Sequence, residues 1–329
     1  MTLLPIQCRT EAGLGQHMGN PLQTTLKSAV TFTGTGLHTG KLVRLTVHPA
    51  SAEYGVWFER TDVVDRDPMV PARWDAVTNT DLNTRISNAD DVSVSTIEHL
   101  MAALAGCGVH NALIKIDGPE VPLLDGSSAP FVRQMLARGV RELNAPVRSI
   151  RVLKPVSVTK GDATATLLPS EELEIDFEID FADRVIGQQS KQLNMANGAF
   201  VRELCDSRTF CRQADIDMMR ERGLIAGGSV TSAVVVEGDV VVTPGGMRHR
   251  DEPVRHKMLD ALGDLTLAGA PIMGRYVGHR SGHAMTNLLL RALFADPTNY
   301  ELVECDKAMS ARLPGAGVKR IDGAHYAAA

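Results

Sequence analysis

The same order of elements occurs twice along this chain. In each half, strand patterns are followed by a helix with polar residues near its start, a break bounded by glycines, and a second helix. The helical segments are STIEHLMAALAGCG and DGSSAPFVRQMLARG in the first half, and DEPVRHKMLDALGDLTLAG and GHAMTNLLLRALFA in the second. This repeated order predicts an α+β fold of two similar parts. The two halves share the order of their elements and no residue-by-residue alignment of their polar clusters.

The length of the chain also favours two domains. Its 329 residues exceed the roughly 250–300 at which a single hydrophobic core stops growing. With a boundary near residues 144–149, we expect an N-terminal domain over 21–146 and a C-terminal domain over 147–306. The remaining segments are expected to be a disordered extension, 1–20, and a flexible tail, 307–329.

The composition excludes several functions. A net charge of −5 with scattered cations argues against nucleic acid or an anionic membrane as a partner. No apolar run approaches the roughly 18 residues that a membrane span requires. The five cysteines are odd in number and widely spaced, which disfavours a disulfide framework. We therefore expect a protein of the reducing cytoplasm.

A helix in the second half carries a polar stripe. At about 100° per residue, His256, Asp260 and Asp264 fall within about 80° of one another, and apolar residues occupy the opposite arc. The i, i+4 spacing places the imidazole of His256 and the carboxylate of Asp260 where both could bind one cation. The alternative is a solvated helix face. Asp264 could orient a neighbouring imidazole, and Lys257 adjoins the stripe.

A second polar pair lies at the start of an otherwise apolar helix. Glu98 and His99 precede a run of Leu, Met and Ala that is expected to be buried. A buried glutamate is costly unless it is paired or functional. Alternatively, Glu98 completes a capping box with Ser95, and His99 is an ordinary core histidine.

Glycines bracket a third group of polar residues just before the last long helix. The segment GHRSGHAMTN contains His279, Arg280 and His283, which could approach a ligand closely or could lie in a solvated loop. Another histidine, His38 in GTGLHTG, has no partner at metal-binding spacing, and we consider it only for contact with a substrate.

Together the polar clusters contain enough ligands for one catalytic metal ion. Catalytic zinc sites commonly use three protein ligands and leave the fourth position for water. His99, His256 and Asp260 would suffice, and Glu98 would then be free to act as a base.

Several segments of the chain together resemble one known family, the zinc-dependent UDP-3-O-acyl-N-acetylglucosamine deacetylases of lipid A biosynthesis in Gram-negative bacteria. The matching segments, in order, are TGLHTG, TIEHLMAALAGCGVHNALIKIDGPEVPLLDGSSAPFV, SRTF, RHKMLDALGDL and SGHAMTN. The resemblance runs from about Gln23 to about Asp306. It implies two β/α domains with helices sandwiched between sheets, each domain carrying a small insert, and an active site at their junction.

The resemblance also implies a role for each residue in the matching motifs. His99, His256 and Asp260 would bind one Zn²⁺ ion, and Glu98 would be the general base that takes a proton from water. The reaction would release acetate from the nitrogen of a UDP-linked, 3-O-acylated glucosamine.

Four further residues complete the catalytic set that the resemblance implies. His283 would protonate the leaving amine, and Asp264 would hold His283 in orientation. Lys257 and the hydroxyl of Thr209 would stabilise the oxyanion.

Substrate contacts are expected from both domains. Arg280, Lys257 and Phe181 are candidates to contact the diphosphate and uracil, and Phe210 and Leu82 are further candidates for substrate contact. The insert at about 210–243 would form the wall of an apolar channel for the acyl chain.

The expected partner is therefore a small molecule, a UDP-linked acylated sugar, bound by a monomeric enzyme. Two other hypotheses remain open, namely a metal-dependent deacetylase for a different acylated sugar and a zinc-stabilised binding protein without enzymatic activity.

Overall fold

The computed structural model describes residues 20–221, 223–228 and 232–326. The first half contains the following strands and helices: β1 Leu22–Leu26, β2 Val30–Thr35, β3 Leu42–Pro49, β4 Val56–Arg60, β5 Met69–Pro71, β6 Val77–Asn79, β7 Arg85–Ser87, β8 Ser93–Val94, α1 Glu98–Gly106, β9 Ala112–Ile116, α2 Ala129–Arg138 and β10 Val140–Pro146.

The second half contains a comparable set, with a short π-helix at Phe200–Leu204 and a 3-10 helix at Arg320–Tyr326. Its other elements are β11 Arg148–Val152, β12 Val156–Lys160, β13 Ala163–Leu168, β14 Leu173–Asp180, β15 Gln188–Asn194, β16 Phe210–Arg212, α3 Gln213–Glu221, β17 Val234–Glu237, β18 Val240–Val241, α4 Glu252–Thr266, β19 Ile272–His279, α5 His283–Ala295, β20 Tyr300–Glu304 and α6 Lys307–Ser310.

Each half is organised around one mixed sheet and one smaller sheet. The first half has a five-stranded sheet in the order β2-β3-β9-β4-β5, and the second has a seven-stranded sheet around β19. The three-stranded sheets are β6-β7-β8 and β16-β17-β18, and β1 pairs with β10 in a two-stranded sheet. This arrangement confirms the predicted α+β class, and the second small sheet coincides with the expected insert at 210–243.

The helix pair α1 and α4 joins the two halves. In β14 the apolar residues alternate with acidic ones, and its buried face packs against α4. A Cβ atom added to Gly263 of α4 would lie 2.1 Å from the carbonyl oxygen of Glu98, so the two backbones touch at this glycine. The close approach places the N-terminal part of α1 beside the C-terminal half of α4.

Most buried apolar side chains of both halves form one continuous cluster, and two smaller clusters lie in the 210–243 insert and around Val147 and Met273. The predicted boundary at 144–149 falls where β10 ends and β11 begins. Because the apolar surface of each half is covered partly by the other, the division into two separately folding domains stays a prediction.

The two ends of the chain differ in how much of them the structure describes. The expected extension, 1–20, lies outside the described residues except for Asn20. Part of the expected flexible tail, 307–329, forms α6 and the 3-10 helix, and Leu313 between them is buried. The mobility of this tail stays a prediction.

The predicted capping box at the start of α1 is wrong. The helix begins at Glu98, its N-cap is Ile97, and no side chain caps it. The Ser95 hydroxyl instead donates to the carbonyl of Pro119. The reason is that Thr96 adopts the left-handed backbone region, φ 57°, which separates Ser95 from the helix.

Within the described residues, no helix is both long enough and apolar enough to span a lipid bilayer.

Candidate metal centre and active site

Two facing helices bring three metal-ligating side chains together. His99 lies in the first turn of α1, and His256 and Asp260 lie one turn apart on α4. One ligand atom from each of the three lies within 4.8 Å of the other two. All three residues are buried, with 3–5% of their surface exposed, so the interpretation of the α4 stripe as a solvated face is wrong.

The donor atoms of these residues fit a divalent metal ion. The imidazole Nε2 atoms of His99 and His256 lie 3.6 Å and 3.4 Å from Asp260 Oδ1. Those distances are too long for hydrogen bonds but suit adjacent ligands at about 2 Å from one ion. Asp260 Oδ1 is buried and has no hydrogen-bond partner among the described residues. A buried carboxylate oxygen without a partner is costly, and a bound cation would remove that cost.

The protonation states of the ligands on α4 also favour a cation. Nδ1 of His256 lies 3.1 Å from the carbonyl oxygen of Ser207, which leaves Nε2 as the unprotonated nitrogen. Burial lowers the pKa of His256 to about 4, so this imidazole is neutral near pH 7. Burial opposes the charge of Asp260, but the Lys257 ammonium beside it helps to hold the pKa of Asp260 well below its usual range.

Lys257 contacts one of the metal ligands directly. Its Nζ donates to Asp260 Oδ2 at 2.9 Å. Burial opposes the charge, but the Asp260 carboxylate raises the pKa of Lys257 above its usual value. The ammonium group is therefore charged and fixed beside the ligand set, and two of its three donors remain for other acceptors.

Glu98 lies next to the ligand set without belonging to it. Only 3% of the residue is exposed, and its Oε2 accepts a hydrogen bond from the backbone N–H of Thr84 at 3.1 Å. Burial raises the pKa of Glu98, which makes the carboxylate a stronger base than one in solvent.

His283 and Asp264 form a close, buried ion pair near Glu98. Nδ1 of His283 lies 2.8 Å from Asp264 Oδ2. Burial and the position of His283 at the N-terminus of α5 disfavour a positive charge. The Asp264 carboxylate overcomes burial and raises the pKa of His283 to about 9, so the imidazole is cationic at neutral pH.

An apolar cavity of about 170 Å³ adjoins this centre. Thr209, Phe210 and Leu82 line it, together with Met219 and Ile225 from the 210–243 insert. The cavity wall therefore contains three of the residues expected to contact substrate or the oxyanion.

Aromatic rings connect the cavity to the metal ligands. The ring centroid of Phe210 lies 6.2 Å from that of His256 and 5.4 Å from that of Phe181. Phe181 therefore contacts Phe210, which in turn contacts the metal-ligand candidate His256.

Arg280 is the candidate that the structure places least favourably. Its guanidinium forms ion pairs with Asp180 and with Asp162 and is partly exposed. A diphosphate would have to compete with these two carboxylates for Arg280, so contact with the nucleotide stays a prediction.

Two buried residues near the proposed catalytic set, Thr84 and Glu120, are not predicted by the sequence. Thr84 donates to both Glu98 and Asp264. Glu120 is fully buried, and its carboxylate accepts hydrogen bonds from backbone and side-chain groups of the 38–39 loop and from the Thr96 hydroxyl. Neither residue has a spacing or a neighbour in the sequence that distinguishes it, because each acts through contacts distant along the chain.

The Glu120 hydrogen bonds explain the unusual backbone before α1. A β-branched residue such as Thr96 at positive φ costs roughly 1–3 kcal/mol. The Thr96 hydroxyl donates to Glu120 at 3.0 Å, which holds the residue in that conformation. His38, in the same loop that Glu120 binds, lines the cavity, and neither of its ring nitrogens has a hydrogen-bond partner among the described residues.

Comparison with known proteins gives a consistent match over most of the chain. A family model described as LpxC, UDP-3-O-acyl N-acetylglycosamine deacetylase, matches residues 23–295. That range contains all the candidate site residues on α1, α4 and α5.

Individual relatives match at high identity. The UDP-3-O-acyl-N-acetylglucosamine deacetylase of Phenylobacterium zucineum is 48% identical over 280 residues, which cover 85% of this chain and 96% of the relative. The enzymes of the same name from Sodalis glossinidius and Idiomarina loihiensis are 45% and 44% identical, covering 89% and 87% of this chain and 95% and 94% of the relatives. The chain therefore belongs to the UDP-3-O-acyl-N-acetylglucosamine deacetylase family.

Proposed function

We propose that this protein removes the N-acetyl group from UDP-3-O-(3-hydroxyacyl)-N-acetylglucosamine, giving UDP-3-O-acyl-glucosamine and acetate, the committed step of lipid A biosynthesis. The observation that carries this proposal is the buried ligand set of His99, His256 and Asp260, with Glu98 and His283 beside it. Family membership supports the choice of substrate.

We propose His99, His256 and Asp260 as the ligands of one Zn²⁺ ion. Two imidazoles and one carboxylate are a usual ligand set for catalytic zinc. When bound, the ion would polarise the acetamide carbonyl and lower the pKa of water.

Glu98 and His283 have opposite roles in proton transfer, as acceptor and donor. Glu98, whose pKa is raised by burial, accepts a proton from the attacking water. His283, which is cationic at neutral pH because of Asp264, donates a proton to the leaving glucosamine nitrogen. The C–N bond of the amide breaks as that nitrogen is protonated, and acetate is released.

Lys257 and Thr209 are proposed to stabilise the oxyanion. The Lys257 ammonium is held beside the ligand set by Asp260, and Thr209 lies on the cavity wall next to Phe210. A fixed cation and a hydroxyl near developing negative charge lower the barrier without reorganising solvent.

The apolar cavity is proposed to receive the acyl chain. The apolar side chains of the 210–243 insert form a small core of their own at the cavity wall. Phe210, Leu82 and Phe181 are proposed as substrate contacts, with Arg280 for the diphosphate. We propose a cytoplasmic location for this enzyme. We also propose that the enzyme is monomeric.

Acetate release from the purified protein tests this function. We expect zinc-loaded protein to release acetate from UDP-3-O-acyl-N-acetylglucosamine, chelation to abolish release, and added zinc to restore it. Glu98→Gln should lower kcat by about 10²–10⁴-fold while the zinc content stays at that of the wild type, because Glu98 is not a ligand. No release from the zinc-loaded protein would refute the proposal.

The same experiment separates the rival hypotheses. A substrate without the 3-O-acyl chain should react poorly if the cavity binds that chain, whereas equal kcat/KM for both would indicate a deacetylase for another sugar. A binding protein would retain zinc and release no acetate from either substrate.

A further inference from the structure

We propose that Thr84 is a positioning residue that links the general base to the general acid; this inference rests on the proposed function. Thr84 immediately precedes β7 in the small sheet of the first half, and 1% of the residue is exposed. Its backbone N–H donates to Glu98 Oε2 at 3.1 Å, and its hydroxyl donates to Asp264 Oδ1 at 2.6 Å.

These two hydrogen bonds complete a chain across the active site. Asp264 accepts from Thr84 on Oδ1 and from His283 on Oδ2, so one carboxylate connects the two residues. The chain therefore runs from Glu98 through Thr84 and Asp264 to His283. Its members come from α1, the loop before β7, α4 and α5, so both halves of the molecule contribute.

The hydroxyl fixes the rotation of the Asp264 carboxylate. A carboxylate held by one donor can turn about its last torsion, since rotation there is broad and roughly two-fold. A second donor on the other oxygen keeps Oδ2 directed at His283. The imidazolium then keeps its orientation toward the position of the leaving nitrogen. Because the rate of proton transfer depends on this orientation, the hydroxyl should affect kcat.

Thr84 is itself held in place from several directions. Its carbonyl oxygen accepts a hydrogen bond from Ile97 N–H at 3.4 Å, and the preceding Asn83 side chain accepts one from Thr96 N–H at 3.4 Å. The β-branched side chain of threonine also has few accessible rotamers. The donor to Asp264 therefore has a defined position before substrate binds.

Substitutions at Thr84 can separate its two hydrogen bonds. Thr84→Val keeps the shape and the backbone N–H to Glu98 but removes the donor to Asp264. Thr84→Ser and Thr84→Ala are a second pair that differ only in the hydroxyl, so they remain informative if the valine variant folds poorly. Thr78→Val is the matched control, because the Thr78 hydroxyl pairs with Ser87 on the exposed side of the same small sheet.

We expect the loss of the hydroxyl to act on kcat. In Thr84→Val and Thr84→Ala, kcat should fall by about 10- to 100-fold, while KM stays within about 2-fold and zinc content is unchanged. Thr84→Ser should retain kcat within about 3-fold, and Thr78→Val should match the wild type. A residue with a merely structural role would not give this separation of kcat from KM or the rescue by serine.

A double-mutant cycle provides the second readout. If Thr84 acts through Asp264, adding Thr84→Val to Asp264→Asn should lower kcat by less than about 2-fold further. Fully additive losses, a change confined to KM, or a kcat of Thr84→Ala equal to that of Thr84→Ser would overturn the inference. Absence of acetate release from the wild type would instead refute the proposed function, so the two failures are distinguishable.

Discussion

At the scale of single residues, the charge of His283 depends chiefly on the carboxylate of Asp264, with smaller contributions from Glu98 and Asp260. Burial alone would lower the pKa of this imidazole, and the Asp264 carboxylate at 2.8 Å reverses that effect and raises the pKa to about 9. A neutral imidazole could not protonate the leaving amine. The proposed acid function of His283 thus depends on its neighbour as much as on the histidine.

This dependence predicts the pH profile of an Asp264→Asn variant. For the wild type we expect kcat to fall as pH rises through about 9, where His283 loses its proton. Without the carboxylate the effect of burial remains and the pKa drops, so the alkaline limb should move down by more than about one pH unit. Near pH 8, kcat should decrease by about 10²-fold.

The measurement is kcat against pH from the acid to the alkaline side, with the zinc content of each sample determined. Asp65→Asn, at an exposed surface position, should leave the profile unchanged. An alkaline limb that stays in place in Asp264→Asn would show that another group is the acid.

At the scale of elements, the spacing of α1 and α4 determines whether the site exists. His99 and Glu98 lie on α1, while His256 and Asp260 lie on α4. The helices approach closely at Gly263, where a Cβ would overlap the carbonyl of Glu98. Backbone atoms cannot move aside as flexible side chains can, so the glycine sets the interhelical distance.

Gly263→Ala should therefore damage the site more than the fold. The added methyl group must push α1 away from α4, and we expect zinc affinity and kcat each to fall by at least about 10-fold. Zinc affinity can be measured by competition with a chromophoric chelator, and kcat by acetate release.

Gly106→Ala is the control with a comparable clash. A Cβ there would lie 2.0 Å from the ring of Phe200 in the π-helix, and its nearest neighbours include no backbone atom of α4. That variant should lose stability but keep zinc affinity in the molecules that fold. Equal zinc affinities for Gly263→Ala and the wild type would contradict the role assigned to the glycine.

The segment before α1 is stabilised by Glu120. Its carboxylate is buried, and its four hydrogen bonds from His38 N–H, the Thr39 N–H and hydroxyl, and the Thr96 hydroxyl join two loops. A glutamine at this position would replace one acceptor oxygen with an NH₂ group, which cannot accept the hydrogen bonds that this oxygen receives. Glu120→Gln should thus lower the free energy of unfolding by about 2–3 kcal/mol.

Chemical denaturation of both proteins measures that loss. Asp117→Asn is the matched control, because Asp117 accepts one hydrogen bond from Arg44 N–H at an exposed position. It should change the free energy of unfolding by less than about 1 kcal/mol. A loss for Glu120→Gln no larger than that of the control would contradict the prediction.

At the scale of the whole molecule, one metal ion would connect the two halves. His99 belongs to the first half, and His256 and Asp260 belong to the second, within a single hydrophobic core. An ion that binds only the folded chain stabilises it by about 2.7 kcal/mol at a free concentration of 100 times Kd. Zinc binding should therefore stabilise the molecule as a unit.

Thermal unfolding checks this prediction. We expect zinc-loaded protein to have a Tm at least about 5 °C above that of chelated protein, with the difference rising with zinc concentration. His256→Ala removes a ligand and should make Tm nearly independent of zinc. A wild-type Tm that does not respond to zinc would argue against the ligand set.

Much of the candidate site could be predicted from the sequence. Periodicity identified the helices that became α1, α4 and α5, and the i, i+4 spacing of His256 and Asp260 placed both on one face. These features follow from local backbone geometry, which depends on residues a few positions apart. The resemblance to known deacetylases then grouped the separate motifs.

The tertiary structure alone decided how the motifs meet. It placed Thr84 between Glu98 and Asp264, although 180 positions separate Thr84 from Asp264 along the chain. It also began α1 at Glu98 instead of at a capped Ser95, because Thr96 is held by Glu120. Contacts of this kind depend on the packing of distant elements, and no local pattern of apolar and polar residues encodes them.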